Sequence, residues 1–113
     1  MIGVYAYGGT DFHTVFVSGD WKIGLLRYSE RFAKPGVWER HLQTDEVFVL
    51  LSGTASLYER QKETIHSVNM EPNKVYSIPK GVWHHIVVSE NATVLVVENS
   101  NTSKENTQKE QGR

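Results

Sequence analysis

The stretch Glu46-Val47-Phe48-Val49-Leu50-Leu51 decides the fold. Read as a strand, it turns Glu46, Phe48 and Leu50 to one face and Val47, Val49 and Leu51 to the other. A second stretch, His84-His85-Ile86-Val87-Val88, behaves the same way, with His84, Ile86 and Val88 on one side and His85 and Val87 on the other. A strand that is apolar on both faces belongs to a closed or double-layered sheet, because a single sheet wetted on one side alternates apolar with polar. Two such strands predict a small barrel whose outer face is covered by another sheet or subunit.

Outward from these strands the pattern continues. Further β-rich runs fall at residues 14–17, 21–29, 54–60, 64–68, 75–78 and 93–98, with the two-sided strands at 46–51 and 85–89. Between them stand Ser18-Gly19-Asp20, Lys34-Pro35-Gly36, Ser52-Gly53, Glu71-Pro72-Asn73, Pro79-Lys80-Gly81 and Glu90-Asn91. Gly and Asn accept the positive φ of tight turns, and Pro pre-sets a turn while removing a ladder donor. Short strands at this rhythm, with no helix-period stretch, predict an all-β sandwich or barrel. Residues 1–98 form the expected domain. Residues 99–113, NSNTSKENTQKEQGR, hold no apolar anchor and are expected to be disordered or draped in extended form over a neighbour.

Composition narrows the function. The chain has 113 residues, enough for one domain with a real core. It has no cysteine, which removes disulfides, thiolate zinc sites, iron–sulfur clusters and cysteine nucleophiles together. Any metal must rest on imidazole, carboxylate or amide groups. Twelve Lys and Arg against thirteen Asp and Glu give a net charge of −1, no footprint for nucleic acid. The longest wholly apolar run, Val47 to Leu51, is far too short for a membrane helix, and the N-terminal MIGVYAYGG lacks a basic leader pattern. A cytoplasmic protein with a small-molecule ligand is the expectation. No Gly-rich phosphate loop and no nucleophile elbow is present.

The chemistry centres on three residues. Alternation carries Glu46 inward beside Phe48 and Leu50, and a carboxylate there is costly unless paired, hydrogen-bonded or on a metal. His41 lies five residues before it, and His84 opens the other two-sided strand. Two imidazoles and one carboxylate converging in a barrel make a divalent-metal site. Against this stand plainer roles: a surface His41, a solvated Glu46 at the barrel mouth, a core His84 bonded to a carbonyl. His13 and His66 have no supporting constellation and read as surface or sheet-face residues. Trp38, Phe48, Tyr58, Tyr76 and Trp83 are core candidates that would also wall a ligand pocket.

Trp38-Glu39-Arg40-His41-Leu42-Gln43-Thr44-Asp45-Glu46, followed by six residues and then Gly53, resembles the first cupin motif. Pro79-Lys80-Gly81-Val82-Trp83-His84 resembles the second, P-x-G-x-x-H. The resemblance covers residues 21–98 and implies a small jelly-roll barrel, commonly dimeric, with metal held by the motif histidines and glutamate. His41, Glu46 and His84 carry over. Glu39 falls where the first motif has its first histidine, so it carries over only as a substituted ligand, or as a spare base. Asn73 and Val88 also depart from the second motif. The implied ion is divalent: Zn, Mn, Fe or Ni. Two functions follow: metal-dependent chemistry of isomerase, lyase or dioxygenase type on a small polar metabolite, or ligand binding without turnover or metal. A remnant barrel with an idle pocket is the third reading. The fold alone does not choose among them. A homodimer is expected, because the faces carrying Val47, Val49 and Leu51, or Val87, need cover.

Overall fold

The computed structural model describes residues 1–111. Its strands are β1 (Phe12–Ser18), β2 (Trp21–Arg27), β3 (Val37–His41), β4 (Glu46–Ser52), β5 (Ala55–Gln61), β6 (Thr64–Asn69), β7 (Tyr76–Ile78), β8 (Trp83–Val88), β9 (Thr93–Asn99) and β10 (Thr107–Gln111). The only helical pieces among the described residues are single 3-10 turns, Glu30–Phe32 and Lys104–Asn106. The strands build two five-stranded antiparallel sheets, β1-β2-β9-β4-β7 and β10-β3-β8-β5-β6. This is the all-β barrel that the two-sided strands predict, and the two-sheet form agrees with the jelly roll that the cupin resemblance implies.

The sheets face each other across one core. Leu26, Phe48, Leu50, Val94 and Val96 enter it from the first sheet, and Ala55, Leu57, Ile86 and Val88 from the second. Val94 and Val96 are essentially sealed from solvent. Alternation is strict along β9 and from Glu46 to Leu50 of β4: every second residue is buried and its neighbours are half-exposed, until a register shift at the end of β4 leaves Leu51 and Ser52 both exposed. The turn at Gly53 needs glycine twice over. Its φ is +72°, and a Cβ there would come within 2.5 Å of the Ala92 Cα.

Two strands lie where the sequence offered no strand signal. Val37–His41 reads as a loop feeding the next strand, yet it forms β3, paired to β10 along its whole length. Of the two forms open to residues 99–113, the described part takes the extended one, on its own chain. Thr107–Gln111 becomes the edge strand β10, so the barrel does not end at residue 98. A capping box at Ser103 and Asn106 orders the approach, and Glu110 reaches Arg60 at 2.7 Å. Hydrogen bonds and charge anchor this segment in place of apolar contacts.

Candidate functional site

Four elements converge at one end of the barrel. The end of β3 supplies His41, the start of β4 supplies Glu46, β8 supplies His84 and the end of β9 supplies Glu98. All four are buried. The Pro79-Lys80-Gly81 turn fixes their approach. Gly81, at φ +82°, donates its N–H to the His41 carbonyl at 2.8 Å. Lys80 N–H donates to Asp45 Oδ1 at 2.9 Å. Asp45 therefore points away from Glu46 and clamps the turn that delivers His84. Strand alternation dictates this split between neighbouring acids.

At the centre lies one carboxylate oxygen. Glu46 Oε1 is 2.9 Å from His84 Nε2 and 3.1 Å from His41 Nε2. The opposite ring nitrogens are also engaged. His84 Nδ1 lies 3.0 Å from the Val82 carbonyl, and His41 Nδ1 lies 2.9 Å from Thr107 Oγ1. These outer contacts fix each ring so that Nε2 points at Glu46. Burial pulls both imidazoles toward neutrality, but the bond to Glu46 and its charge outweigh burial, so both pKa values are raised. Burial likewise works against the Glu46 anion, and the two imidazoles overcome it, holding its carboxyl well below the usual carboxylate range.

Glu98 completes the group. Its carboxyl is in hydrogen-bonding contact with Glu46, and burial, then the charge of Glu46, push its pKa up to about 8. Lys22 Nζ stands 3.7 Å from Glu98 Oε2. Two carboxyl groups this close share a proton readily.

These groups border a cavity of about 400 Å³. Phe12, Leu26, Phe32, Phe48 and Ile86 give it apolar walls, while Arg31, Lys34 and Lys109 bring cations to its exposed side. Among the described residues, His41, Glu46 and His84 are the group able to offer three ligand atoms within 4.8 Å of one another. Ligand atoms about 2.1 Å from one ion and at right angles stand roughly 3.0 Å apart, which is the spacing of both Nε2 atoms from Oε1. Two imidazoles and one carboxylate on one side of an ion, with positions left open, suit a divalent transition metal.

The other sequence candidates fall in different places. Glu39 faces the same cavity but is not in this group; it turns to Arg31 Nη1 at 3.7 Å. It is two residues from His41 on the same face of β3, and that step displaces it by nearly 7 Å along the strand. Phe48 lines the cavity. Trp38 and Trp83 do not: each neighbours an inward residue, Glu39 or His84, so alternation turns it to the outer face of the second sheet. Arg60 lies over both rings, and Arg40 over Trp83. Tyr58 stacks on His85, and with Tyr76 it borders a separate cavity of about 230 Å³. His13 stacks on Tyr7, and His66 is exposed on β6.

Sequence reasoning missed Glu98 and Thr107. Glu98 had a readable signal: Val94, Val96 and Glu98 alternate inward as Glu46, Phe48 and Leu50 do. Thr107 had none, because it acts through a strand with no apolar pattern.

No family model matches the sequence, and no curated protein matches it. Solved structures do. A cupin-2 domain protein from Shewanella frigidimarina is 23% identical, covers 82% of this chain and 84% of its own, and superposes with a TM-score of 0.63. A variant of Pac13 from Streptomyces, solved with uridine, is 8% identical over 98% and 92% at a TM-score of 0.72; Pac13 is a nucleoside dehydratase. KdgF from a Halomonas species is 12% identical over 86% and 87% at a TM-score of 0.61. At these identities the likeness speaks for the fold.

Proposed function

We propose that this chain, a small cupin by fold, binds one divalent metal ion through His41, Glu46 and His84 and acts on a small polar metabolite held in the adjoining cavity. The observation that carries the reading is the pair of Nε2 atoms at 2.9 and 3.1 Å from a single buried carboxylate oxygen. The rings are held from behind by Val82 and Thr107, as ligating imidazoles commonly are. A cavity of this size takes a small metabolite.

A bound ion supplies Lewis-acid polarisation of a substrate carbonyl or hydroxyl, the chemistry used by isomerases, lyases and, with iron, dioxygenases. The chain's own groups do the rest. Glu98, beside Glu46 and bordering the cavity, holds a proton near neutral pH and can pass it to a substrate. Phe48, Phe12 and Ile86 exclude water from that exchange.

The test is elemental analysis of protein purified without chelator, followed by metal titration. About one equivalent of Zn, Mn, Fe or Ni, lost in His84→Ala, supports the reading. Less than about a tenth of an equivalent, with no rebinding, ends it. A second reading rests on the same contacts. The His–Glu–His group is fully hydrogen-bonded as it stands, so a metal-free pocket that binds a ligand without turnover also fits. A thermal shift with one class of small polar compound, unchanged by chelator and without product, would favour that reading.

A further inference from the structure

The cavity beside His41, Glu46 and His84 is polar only at its two ends. Its middle is walled by Phe12, Leu26, Phe32, Phe48 and Ile86. Four of these belong to the core cluster and Phe12 packs against it, so the wall is part of the packed barrel. Every polar side chain of the lining is an ionisable one, in the buried group or at the mouth. Among the described residues no Ser, Thr, Asn, Gln, Tyr or Trp lines the cavity. Thr107, which does stand beside the buried group, meets His41 Nδ1 from behind and is not part of the lining. This pattern is selective. A molecule with hydroxyls all round, such as a sugar or the ribose of a nucleoside, would bury them against Phe, Leu and Ile without partners, which weakens binding. An apolar ring or branched chain meets no such cost and gains from leaving water.

The two ends differ in charge. The buried end already holds the Glu46 carboxylate, with Glu98 against it, so a further anion is repelled there while no ion is bound. The mouth carries Arg31, Lys34 and Lys109 together with Glu30 and Glu39. Arg31 is engaged by Asp11 and Glu39. Lys34 and Lys109 are exposed and form no ion pair among the described residues. That leaves two lysines facing Glu30 as the one acid of the mouth without a cation of its own. Lys109 lies opposite Glu39 on β10, as Thr107 lies opposite His41. Its place is therefore roughly 7 Å along the strand from the level of His41. That gap is about the length of one ring with a substituent at each end.

We propose that the cavity takes a small monocarboxylic acid with an apolar, ring-sized body, its uncharged oxygen function turned toward His41, Glu46 and His84 and its carboxylate held at the mouth by Lys34 and Lys109. The inference rests on the cavity reading above and narrows its small polar metabolite to one whose polarity lies at two ends. Phe12, Phe32 and Ile86 select the body, and the two lysines select the charge. A nucleoside or a sugar acid is refused by the walls, although Pac13, solved with uridine, shares the fold.

Isothermal titration calorimetry on the full chain tests it with four probes: para-hydroxyphenylpropanoate, the amide of the same acid, glucuronate and uridine. Affinities are read after chelator treatment, where no ion competes for the carboxylate, and again on protein loaded with zinc. In the chelated protein the hydroxyphenyl acid should bind at least about tenfold tighter than each of the other three. Lys34→Gln with Lys109→Gln, both at exposed positions outside the core, should bring the acid to the level of its amide and leave the amide unchanged. Glucuronate or uridine binding as tightly as the hydroxyphenyl acid overturns the apolar body. Equal affinity for acid and amide, or a preference that survives the double variant, overturns the carboxylate at the mouth. Absence of binding by the acid below about 10 mM overturns both. The metal reading fails separately. Protein that takes up no zinc yet selects the hydroxyphenyl acid ends that reading and keeps this one, and protein that binds one equivalent of zinc yet prefers glucuronate does the reverse.

Discussion

His84 points into the barrel, with its Nε2 2.9 Å from Glu46; its neighbour His85 points outward between the rings of Trp38 and Tyr58. Neither nitrogen of His85 has a hydrogen-bond partner among the described residues. Both rings feel burial, which disfavours the charged form. In His84 the carboxylate reverses the effect and the pKa rises. In His85 burial acts with the charge of His84, and the pKa falls to about 4. Burial sets the stakes and the partner sets the sign. The inner imidazole is thereby poised to hold a proton, and the outer one is an apolar spacer in an aromatic stack.

The hardest way to break this contrast is to remove the partner. Glu46→Ala leaves two buried imidazoles facing each other with no anion, and should cost about 3–5 kcal/mol in the metal-free protein. The pH dependence carries the sign. Glu46, held low, contributes stability above its unfolded value of 4.5, and that contribution is lost as pH falls. His41 and His84, held high, contribute below 6.5 and lose it as pH rises through their raised values. Glu98, raised to about 8, adds a further loss between 4.5 and 8. Urea unfolding should therefore show the largest gap between wild type and variant at about pH 5–6. A gap that widens toward pH 8 would mean that Glu46 is not paired with protonated imidazoles.

The second test compares the two histidines directly. His84→Ala should weaken zinc binding by more than about a hundredfold, since even outer-sphere substitutions cost tenfold or more. His85→Ala should leave it unchanged. Equal losses, read by competition with a chromogenic chelator, would dissolve the distinction.

Much of this contrast was legible beforehand. Alternation sends one of two neighbouring histidines inward, and the P-x-G-x-x-H spacing selects His84; the same logic selects Glu46 over Asp45. What was not legible has a common cause. Strand β3, Val-Trp-Glu-Arg-His, mixes charged with apolar residues on both faces. Its inward Glu39 and outward Arg40 are satisfied by Arg31 and by Trp83 and Gln108. Strand β10 has no apolar residue at all. Both are held by cross-strand hydrogen bonds and ion pairs, whose partners are distant in sequence, so no local pattern announces them. Trp38 and Trp83 looked like pocket walls because large aromatics seek burial. Here that burial comes on the outer face, under arginine.

His85 offers a smaller effect of opposite sign. His85→Phe keeps the ring in the Trp38–Tyr58 stack and removes a group that must resist protonation. Between its unfolded value of 6.5 and about 4 the unfolded chain takes up a proton that the folded one refuses, so wild-type stability falls with pH across that window. The variant should gain on the order of 1 kcal/mol near pH 5, after allowing for a site that is only half shielded, and little at pH 7. Thermal melts at both pH values check it. A gain independent of pH would trace to packing and not to the proton.

Asp11 and Arg31 supply the third combination, a partner without deep burial. Arg31 Nε lies 3.0 Å from both carboxylate oxygens of Asp11, yet both side chains keep more than a third of their surface in water. The Arg31 hydrogen bond lowers the Asp11 pKa to about 2, so its contribution is present above 3.8 and is lost as pH falls to about 2. Solvent screens such a pair, and Asp11→Asn should cost less than about 1 kcal/mol, shrinking further in concentrated salt. A double-mutant cycle with Arg31→Met isolates the coupling. A coupling of the size expected at Glu46 would mean that partner geometry alone sets the energy. A small one leaves burial as the multiplier that makes one carboxylate a site and the other a surface tether.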